Sequence, residues 1–292
     1  MKNETIRESV KSLLHDIHVL NLARAVHYKL SRVISLFKFI ASIGIHVSNA
    51  RLIKRGAADG YSLPPPRMVH LVTGQYRLDC YYQNGALGAE CIQRILAKNG
   101  IQMKEFKNIL DFGTGCGRLM RHLSILRGPR LYGTDYNPYL IDWCRKAFPF
   151  AEFSVNHMHA FLDYEQGQFD FIYTISVFTH LTVISQHLWI NELRRVLKPG
   201  GYLYLTVHGE SYLPRLTMKQ QETFKTGQCV VIGERYNGRN VCAAFHSEAY
   251  VRLVLAKHFD VVDFIPVGAK DAKQDVFLLK KPMPLLEAEP SQ

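Results

Sequence analysis

The order of apolar and polar segments between residues 86 and 207 restricts the fold of this 292-residue chain more than any other feature. Short apolar runs, typical of buried strands, alternate with longer runs in which apolar residues recur every three or four positions, typical of helices. The predicted strands are Asn108–Phe112, Arg130–Thr134, Phe169–Ser176 and Gly201–Val207, and the predicted helices are Ala86–Lys98, Arg118–Leu126, Pro138–Ala147 and Thr182–Leu197. Strands joined by helices at this spacing form a parallel sheet covered on both faces, so we predict an α/β fold.

The pattern changes after residue 207. Residues 209–245 show no clear periodicity and are predicted to be an irregular insertion. A helix from Ser247 to Lys257 follows, and then two strands, Phe259–Val267 and Asp275–Lys280. The loop between these strands is too short for a crossover helix, so we expect them to pair antiparallel.

The N-terminal segment carries most of the positive charge. Residues 1–55 hold ten Lys or Arg against three acidic residues, whereas the formal net charge of the whole chain is +11. Apolar residues recur at helical spacing through residues 6–47, which predicts a basic amphipathic helix. Two interpretations stay open: the helix packs on the main domain or on a second subunit, or it lies on an anionic membrane surface.

Glycines and a proline triplet mark a linker after this helix. We therefore divide the chain into a helical extension with its linker at 1–60, a main domain at 61–281 and a disordered tail at 282–292. The most apolar stretch, residues 33–47, contains Lys38 and is shorter than the ~20 residues that a membrane-spanning helix needs.

Compartment and metal content are predicted from the absence of a secretory signal and from the cysteines. The six cysteines are scattered and include no C-x-x-C pair, which indicates free thiols in a reducing compartment and no metal site. We predict a cytoplasmic protein, with peripheral contact to the inner face of the membrane as the open alternative for residues 6–47.

A glycine-rich turn, residues 111–118 (DFGTGCGR), follows the first predicted strand directly. Glycines at such a place let the backbone turn sharply and approach a ligand closely. Asp135 ends the next strand, where a carboxylate faces the ligand crevice of an open α/β sheet and suits a ribose diol. Arg118 stands where a dinucleotide-binding fingerprint has its third glycine, which disfavours NAD or FAD, and no Gly-Lys-Ser/Thr phosphate loop occurs in the chain.

Four segments in this order resemble motifs of the class I S-adenosylmethionine-dependent methyltransferases. Residues 110–117 (LDFGTGCG) resemble the first motif, 132–135 (YGTD) the second-strand acid, 169–172 with 177–181 (FDFI, VFTHL) the fourth-strand motif, and 197–201 (LKPGG) the turn before the fifth strand. The resemblance implies a Rossmann-like sheet of seven strands with a reversed last strand, which agrees with the predicted closing hairpin. It also implies S-adenosylmethionine as cofactor.

The same resemblance implies roles for individual residues. Asp111, Gly113 and Gly115 would hold the methionine part of the cofactor, Asp135 would bind the ribose hydroxyls, and Tyr136 would lie by the adenine. Where many relatives carry an acid at the adenine edge, this chain reads Asn156-His157-Met158. The expected cofactor-binding residues are Asp111, Gly113, Thr114, Gly115, Gly117, Asp135, Tyr136, Asn156, His157 and Ser176.

Methyl transfer from a sulfonium depends mainly on holding the acceptor, the methyl group and the sulfur in line. A hydroxyl acceptor also benefits from a general base, and histidine is the usual one near neutral pH. His180 and His208 follow two predicted strands at the carboxyl edge of the sheet, so both are candidate catalytic residues, with a structural role as the competing interpretation for each.

The insertion at 209–245 is predicted to be a substrate lid, because it follows a strand that ends at the ligand edge. Three residues near this edge are candidates for substrate binding. Arg215 could hold a carboxylate or phosphate, His246 precedes the next helix, and Tyr76 precedes the first helix of the core.

The leading hypothesis is O-methylation of a small molecule, a glycan or a lipid-linked acceptor. A nucleic-acid (RNA) methyltransferase is the runner-up. It is disfavoured because residues 176–179 (SVFT) lack the Asn/Asp-Pro-Pro-Tyr/Phe run of amino-directed base enzymes and no recognisable RNA module accompanies the domain. A non-enzymatic scaffold is the third alternative; the acceptor atom and the oligomeric state stay open.

Overall fold

The computed structural model describes residues 43–284. The chain divides into two compact units, Met1–Lys54 and Arg55–Gln292. Residues 43–55 form a helix, α1. The rest of the predicted amphipathic helix, residues 6–42, lies outside the described residues, and so does the predicted tail from residue 285 onward.

The second unit contains the remaining helices and all the strands of the described part. The helices are α2 (Pro66–Thr73), α3 (Leu78–Lys98), α4 (Pro138–Ala147), α5 (Val183–Val196), α6 (Met218–Lys225) and α7 (Glu248–Tyr250). The strands are β1 (Asn108–Phe112), β2 (Arg130–Asp135), β3 (Ala151–Val155), β4 (Phe169–Thr174), β5 (Leu197–Val207), β6 (Val230–Ile232), β7 (Ala243–Phe245), β8 (Asp260–Ala269) and β9 (Gln274–Lys280).

Seven strands form one sheet in the order β3-β2-β1-β4-β5-β9-β8. The first five are parallel, whereas β9 runs antiparallel to both β5 and β8. Asp111 near the end of β1 stands opposite Gly133 in β2 and Tyr173 in β4. The predicted α/β fold with seven strands and a reversed last strand is therefore confirmed, including the antiparallel closing hairpin.

Alternating residues of the strands bury against helices on opposite faces of the sheet. On one face, Leu110 and Phe112 of β1 belong to a core that includes Trp189 of α5 and Val251 after α7. On the other face, Ile109 belongs to a second core, made with residues of α3 and α4. Period-two alternation in β1 thus supplies both cores, as expected for a strand in the middle of a covered sheet.

Local signals account for the bounds of two helices. Pro138 occupies the first turn of α4, and the side chain of Asn137 accepts a hydrogen bond from the Tyr139 amide at 3.1 Å. Thr182 caps α5 in the same way through the Ser185 amide. The predicted helix at 138–147 has the bounds observed in the structure.

Three of the predicted helices were wrong in extent or type. The first core helix begins at Leu78 rather than Ala86, and the predicted helix from Arg118 to Leu126 is only a short 3-10 turn, Met120–Leu123. The helix predicted at 247–257 changes to a π-helix over Val251–Leu255 after α7.

The insertion at 209–245 is not irregular, contrary to the prediction. It contains a 3-10 helix (Glu210–Arg215), α6, and a two-stranded antiparallel sheet of β6 and β7. Its small apolar core consists of Tyr212, Leu216, Phe224, Val230 and Phe245. The insertion thus has secondary structure and a core of its own, attached at the carboxyl edge of β5.

Within residues 43–284, no helix is both long and apolar enough to cross a bilayer. The same part of the chain holds no cluster of three or more His, Cys, Asp or Glu side chains arranged to bind a metal ion. All six cysteines are free thiols.

Candidate active site

The carboxyl ends of β1, β2 and β4 open into a cavity of about 600 Å³. Its walls come from the glycine turn after β1, the end of α2, the start of α3, and the loops after β2, β3 and β4. Of the predicted cofactor-binding residues, the cavity is lined by Asp111, Gly113, Thr114, Gly115, Asp135, Tyr136, Asn156 and Ser176.

The glycine turn has positive φ at all three glycines: 82° at Gly113, 57° at Gly115 and 76° at Gly117. A Cβ on Gly113 would lie 2.3 Å from Cγ2 of Val177. The backbone of the glycine turn therefore packs directly against the Val177 side chain of the loop after β4. A Cβ on Gly117 would lie 2.3 Å from Phe148, and Gly117 does not line the cavity. The missing side chain of Gly117 therefore makes room for the Phe148 ring and not for a ligand in the cavity. This position does not support the cofactor contact that was predicted for Gly117.

Asp111 and Asp135 hold the turn from two sides. The hydroxyl of Thr114 donates to Asp111 at 2.8 Å, and the amide of Gly115 donates to Asp135 at 2.9 Å. Asp135 also accepts from the amide of Asn137 at 2.9 Å. Because a carboxylate has about four lone-pair sites, Asp135 can still accept hydrogen bonds from a ribose diol. Burial raises the pKa of Asp135, and that of Asp111 to about 7.

At the far end of the cavity, Tyr136 is about two-fifths exposed and Asn156 is buried. The Asn156 side chain accepts from the Thr134 hydroxyl at 3.0 Å and donates to the His157 carbonyl at 3.2 Å. His157 does not line the cavity; its ring stacks on His159, and Met158 takes the predicted position. The cofactor contact predicted for His157 is therefore not supported.

His180 lines the cavity, and its Nδ1 lies 2.7 Å from the carbonyl oxygen of Cys242 in the insertion. Since a carbonyl only accepts, Nδ1 carries the hydrogen of the neutral ring, and Nε2 is the basic nitrogen. Burial lowers the pKa of His180, so the ring is neutral at pH 7.

His208 is buried beside the cavity but does not line it. Its ring packs against Tyr212 and Phe245, and Nδ1 lies 3.2 Å from the Ala244 carbonyl. Burial, with a smaller effect of His180, lowers its pKa to about 4. This enclosed position disfavours His208 as a base that contacts an acceptor, although the sequence made it a candidate.

The three predicted substrate-binding residues also lie away from the cavity lining. The exposed side chain of Arg215 stacks over the Tyr212 ring, and Tyr76 packs against His70. His246 is fully buried with neither ring nitrogen hydrogen-bonded, and burial lowers its pKa to about 3. These positions do not support direct substrate contact for any of the three.

Several residues that line the cavity were not among the predicted site residues. Arg118 is paired with Asp271 of the β8–β9 loop at 2.8 Å. The hydroxyl of Tyr81 in α3 donates to the Cys116 carbonyl at 2.8 Å, which fixes α3 to the glycine turn. Other such residues are Val72, Asn84, Val177, Trp189, Gly238 and Asn240.

Three loops meet over the mouth of the cavity. The Asn240 side chain donates to the Leu71 carbonyl at the end of α2 at 3.0 Å, and the Gly238 amide donates to the His180 carbonyl at 2.7 Å. A Cβ on Gly238 would lie 2.5 Å from Met158. Gly238 and Asn240 of the insertion thus line the cavity, and the role of the insertion as a substrate lid stays a prediction.

Residues 110–205 match the family model described as a methyltransferase domain. Over 114 residues the chain is 31% identical to the biotin biosynthesis bifunctional protein BioHC of Cellvibrio japonicus; the match covers 39% of this chain and spans only 22% of the length of that protein.

Similar solved structures include a SAM-dependent methyltransferase from Methanosarcina mazei, with 22% identity and a TM-score of 0.49 over 64% of this chain and 97% of that one. Another is the 1,6-didemethyltoxoflavin-N1-methyltransferase of Burkholderia thailandensis, with 18% identity and a TM-score of 0.49 over 75% and 91% of the two chains.

The domain match, the strand order and the glycine turn agree with one another. Residues 110–205 match a methyltransferase domain, and the sheet of the described residues has a Rossmann-like methyltransferase fold. The cavity fits S-adenosylmethionine, the cofactor that the sequence predicted: it is lined by the backbone of Gly113 and Gly115, by the buried acids Asp111 and Asp135, and by Ser176.

Proposed function

We propose that the protein transfers a methyl group from S-adenosylmethionine to a hydroxyl group of a small molecule, a glycan or a lipid-linked acceptor, with His180 as the general base. The observation that carries this proposal is the hydrogen bond between His180 Nδ1 and the Cys242 carbonyl. It holds the ring in the tautomer whose Nε2 can take a proton, in a side chain that lines the cavity.

The other charged groups of the cavity are less suitable as bases. Asp111 and Asp135 accept hydrogen bonds from the glycine turn, and Asp271 is paired with Arg118. Because burial lowers the pKa of His180, its ring is neutral before the reaction and has a nitrogen free to accept a proton. It can take the proton of the acceptor hydroxyl while the methyl group is transferred, which is general-base catalysis.

The bound cofactor supplies an activated methyl group on a sulfonium. The protein must then hold the acceptor oxygen in line with that group and remove its proton. Nε2 of His180 would take the hydroxyl proton as the acceptor oxygen is methylated, and the bound cofactor would supply the methyl group and retain the bonding electron pair on its leaving sulfur. No net charge is left on the product oxygen.

The experiment is a transfer assay with isotopically labelled S-adenosylmethionine and three sets of acceptors: oligosaccharides, membrane lipid extracts and RNA. The native chain is compared with His180→Gln, in which an amide N–H can still donate to the Cys242 carbonyl but no basic nitrogen is left. We expect labelled sugar or lipid, a loss of transfer of roughly 10²- to 10⁴-fold in the variant, and unchanged binding of S-adenosylhomocysteine by calorimetry.

Three outcomes would overturn the proposal. Label found only in RNA would favour the nucleic-acid alternative, and transfer at the native rate by His180→Gln would exclude His180 as the base. Failure of the native chain to bind S-adenosylhomocysteine would instead favour a scaffold role.

A further inference from the structure

Ser176 has a backbone conformation that is rare for a residue with a side chain. It follows β4 at the cavity wall with φ of 60°, in the left-handed region. The next residue, Val177, lies against Gly113, so the chain has to bend sharply at Ser176 to bring β4 onto the glycine turn. Non-glycine residues with positive φ cluster at functional sites, where neighbouring structure holds them in place.

A closed ring of hydrogen bonds holds Ser176 in this bend. The Ser176 amide donates to the Thr206 hydroxyl oxygen at 2.9 Å, and that hydroxyl donates to Oε1 of Gln274 at 2.7 Å. Nε2 of Gln274 then donates to the Ser176 hydroxyl oxygen. Thr206 and Gln274 are both buried, in β5 and β9.

The ring determines what Ser176 offers to the cavity. Its oxygen accepts a hydrogen bond from Gln274, so its own hydrogen is not used in the ring. Since Ser176 lines the cavity, that hydrogen is available to an acceptor atom placed there. Gln274 thus holds the Ser176 oxygen in place and leaves its hydrogen for donation into the cavity.

The order of the strands indicates which part of the cofactor meets this donor. Asp135 ends β2, Asp111 lies near the end of β1 and Ser176 follows β4, and these strands are consecutive neighbours, each about 4.8 Å from the next. A nucleoside whose ribose is held by Asp135 would have room for its amino-acid part beside Asp111 and Ser176, which line the same cavity. The ammonium of that part suits the Asp111 carboxylate, and its carboxylate requires a donor.

We propose that Ser176 donates its hydroxyl hydrogen to the carboxylate of the cofactor, and that Gln274 is the positioning residue that fixes this donor. The inference rests on the proposed function only in that S-adenosylmethionine occupies this cavity. Because Gln274 is the first residue of β9, the reversed strand would contribute to cofactor recognition through Ser176.

Calorimetry with two ligands tests the assignment on the full chain. S-adenosylhomocysteine carries the amino-acid part, whereas 5′-methylthioadenosine has the same nucleoside without it. In Gln274→Glu at pH 8, both oxygens at position 274 accept, so the Ser176 hydrogen turns towards Glu and away from the cavity. We expect S-adenosylhomocysteine to bind roughly tenfold or more weakly, with 5′-methylthioadenosine unchanged. Gln274→Met fills a similar volume and places no hydrogen-bond acceptor beside the Ser176 hydroxyl. We expect this variant to lose less affinity for S-adenosylhomocysteine than Gln274→Glu.

Two substitutions at Ser176 separate its hydroxyl from its backbone. Ser176→Ala removes the hydroxyl but keeps the unfavourable conformational free energy of a side chain at positive φ. Ser176→Gly removes both the hydroxyl and this conformational strain. Equal losses of S-adenosylhomocysteine affinity in the two variants, with 5′-methylthioadenosine unaffected, support the assignment. Gln274→Glu in the Ser176→Gly background should then weaken binding no further.

The contrary outcomes differ for the two proposals. Native affinity for S-adenosylhomocysteine in Ser176→Gly, or equal losses for both ligands, would overturn the role of Ser176 and Gln274. A native chain that binds neither ligand would overturn the occupancy of the cavity by the cofactor, and with it the proposed function.

Discussion

At the scale of single residues, Asp111 shows how burial adjusts the chemistry of the cavity. Its carboxyl group lies at the end of a central strand with one hydrogen bond from the Thr114 hydroxyl, and burial raises its pKa to about 7. A carboxyl group with this pKa changes its charge in the physiological range, whereas an exposed aspartate is fully ionised there. An arriving cation favours the ionised form.

This pKa predicts that cofactor binding depends on pH. From pH 8 to pH 6 the ionised fraction of a group with a pKa near 7 falls roughly tenfold, so we expect S-adenosylhomocysteine, which carries an ammonium, to bind roughly tenfold more weakly at pH 6. Calorimetry across this range measures the effect. Asp111→Asn is the control, because it should bind weakly at both pH values; a native affinity independent of pH would contradict the prediction.

Residue identities at strand ends could be predicted, whereas side-chain directions in loops could not. Asp111, Asp135 and Tyr136 line the cavity because parallel strands bring their carboxyl ends to one edge, and that rule is visible in the sequence. After β3 the same reasoning selected His157, but Met158 faces the cavity because it packs on Gly238. That contact joins segments eighty residues apart, and nothing in the local sequence indicates it.

At the scale of elements, those marked by their own sequence could be predicted, whereas those that depend on distant residues could not. The helix at 138–147 is marked by its own Asn137 and Pro138. The segment 118–126 has helical spacing, yet Leu119, Met120, Arg121 and Leu123 are all buried. A surface α-helix buries only one stripe of side chains, so at least one of these neighbouring residues would be exposed on it. The burial of all four agrees with the observed 3-10 turn. The partner that makes burial of Arg121 possible, Asp59, is 62 residues away.

The ion pair between Arg121 and Asp59 should contribute strongly to stability. Both oxygens of Asp59 accept from the guanidinium, at 2.6 and 2.9 Å, and Arg121 is fully buried below the rings of Tyr82 and Phe148. Asp59→Ala leaves a buried cation without its partner, so we expect a loss of roughly 3 kcal/mol in the free energy of unfolding, measured by urea titration.

An exposed ion pair of similar length provides the control for that measurement. Glu248 and Arg252 approach to 2.7 Å on the surface of one helical turn. Glu248→Ala should cost about 0.3–0.5 kcal/mol, as for other exposed pairs at this spacing. Equal effects of the two substitutions would show that the Arg121 pair is no stronger than a surface contact.

At the scale of the whole molecule, buried histidines should make the fold sensitive to acid. Burial lowers the pKa of His208 to about 4 and that of His246 to about 3, against an ordinary value of 6.5. Between pH 6.5 and pH 4 the unfolded chain therefore binds protons at both positions that the folded chain does not. Stability is complete above pH 6.5 and is lost as the pH falls, by roughly 1.4 kcal/mol per pH unit for each histidine.

Urea midpoints at pH 7.5, 6 and 5 measure this loss. His246→Leu replaces a fully buried ring that makes no side-chain hydrogen bond, so it should fold and should lose less stability between pH 6.5 and pH 5 than the native chain. An undiminished slope in this variant would mean that other groups cause the acid sensitivity.

The contact between Asn240 and Leu71 has a consequence for turnover. It is a single hydrogen bond, exposed to water, and it joins the insertion to the end of α2 above the cavity. Such a bond contributes little net stability, since water replaces it readily. We therefore predict that this contact breaks at small cost, so that cofactor can enter and leave the cavity while the sheet beneath it stays folded.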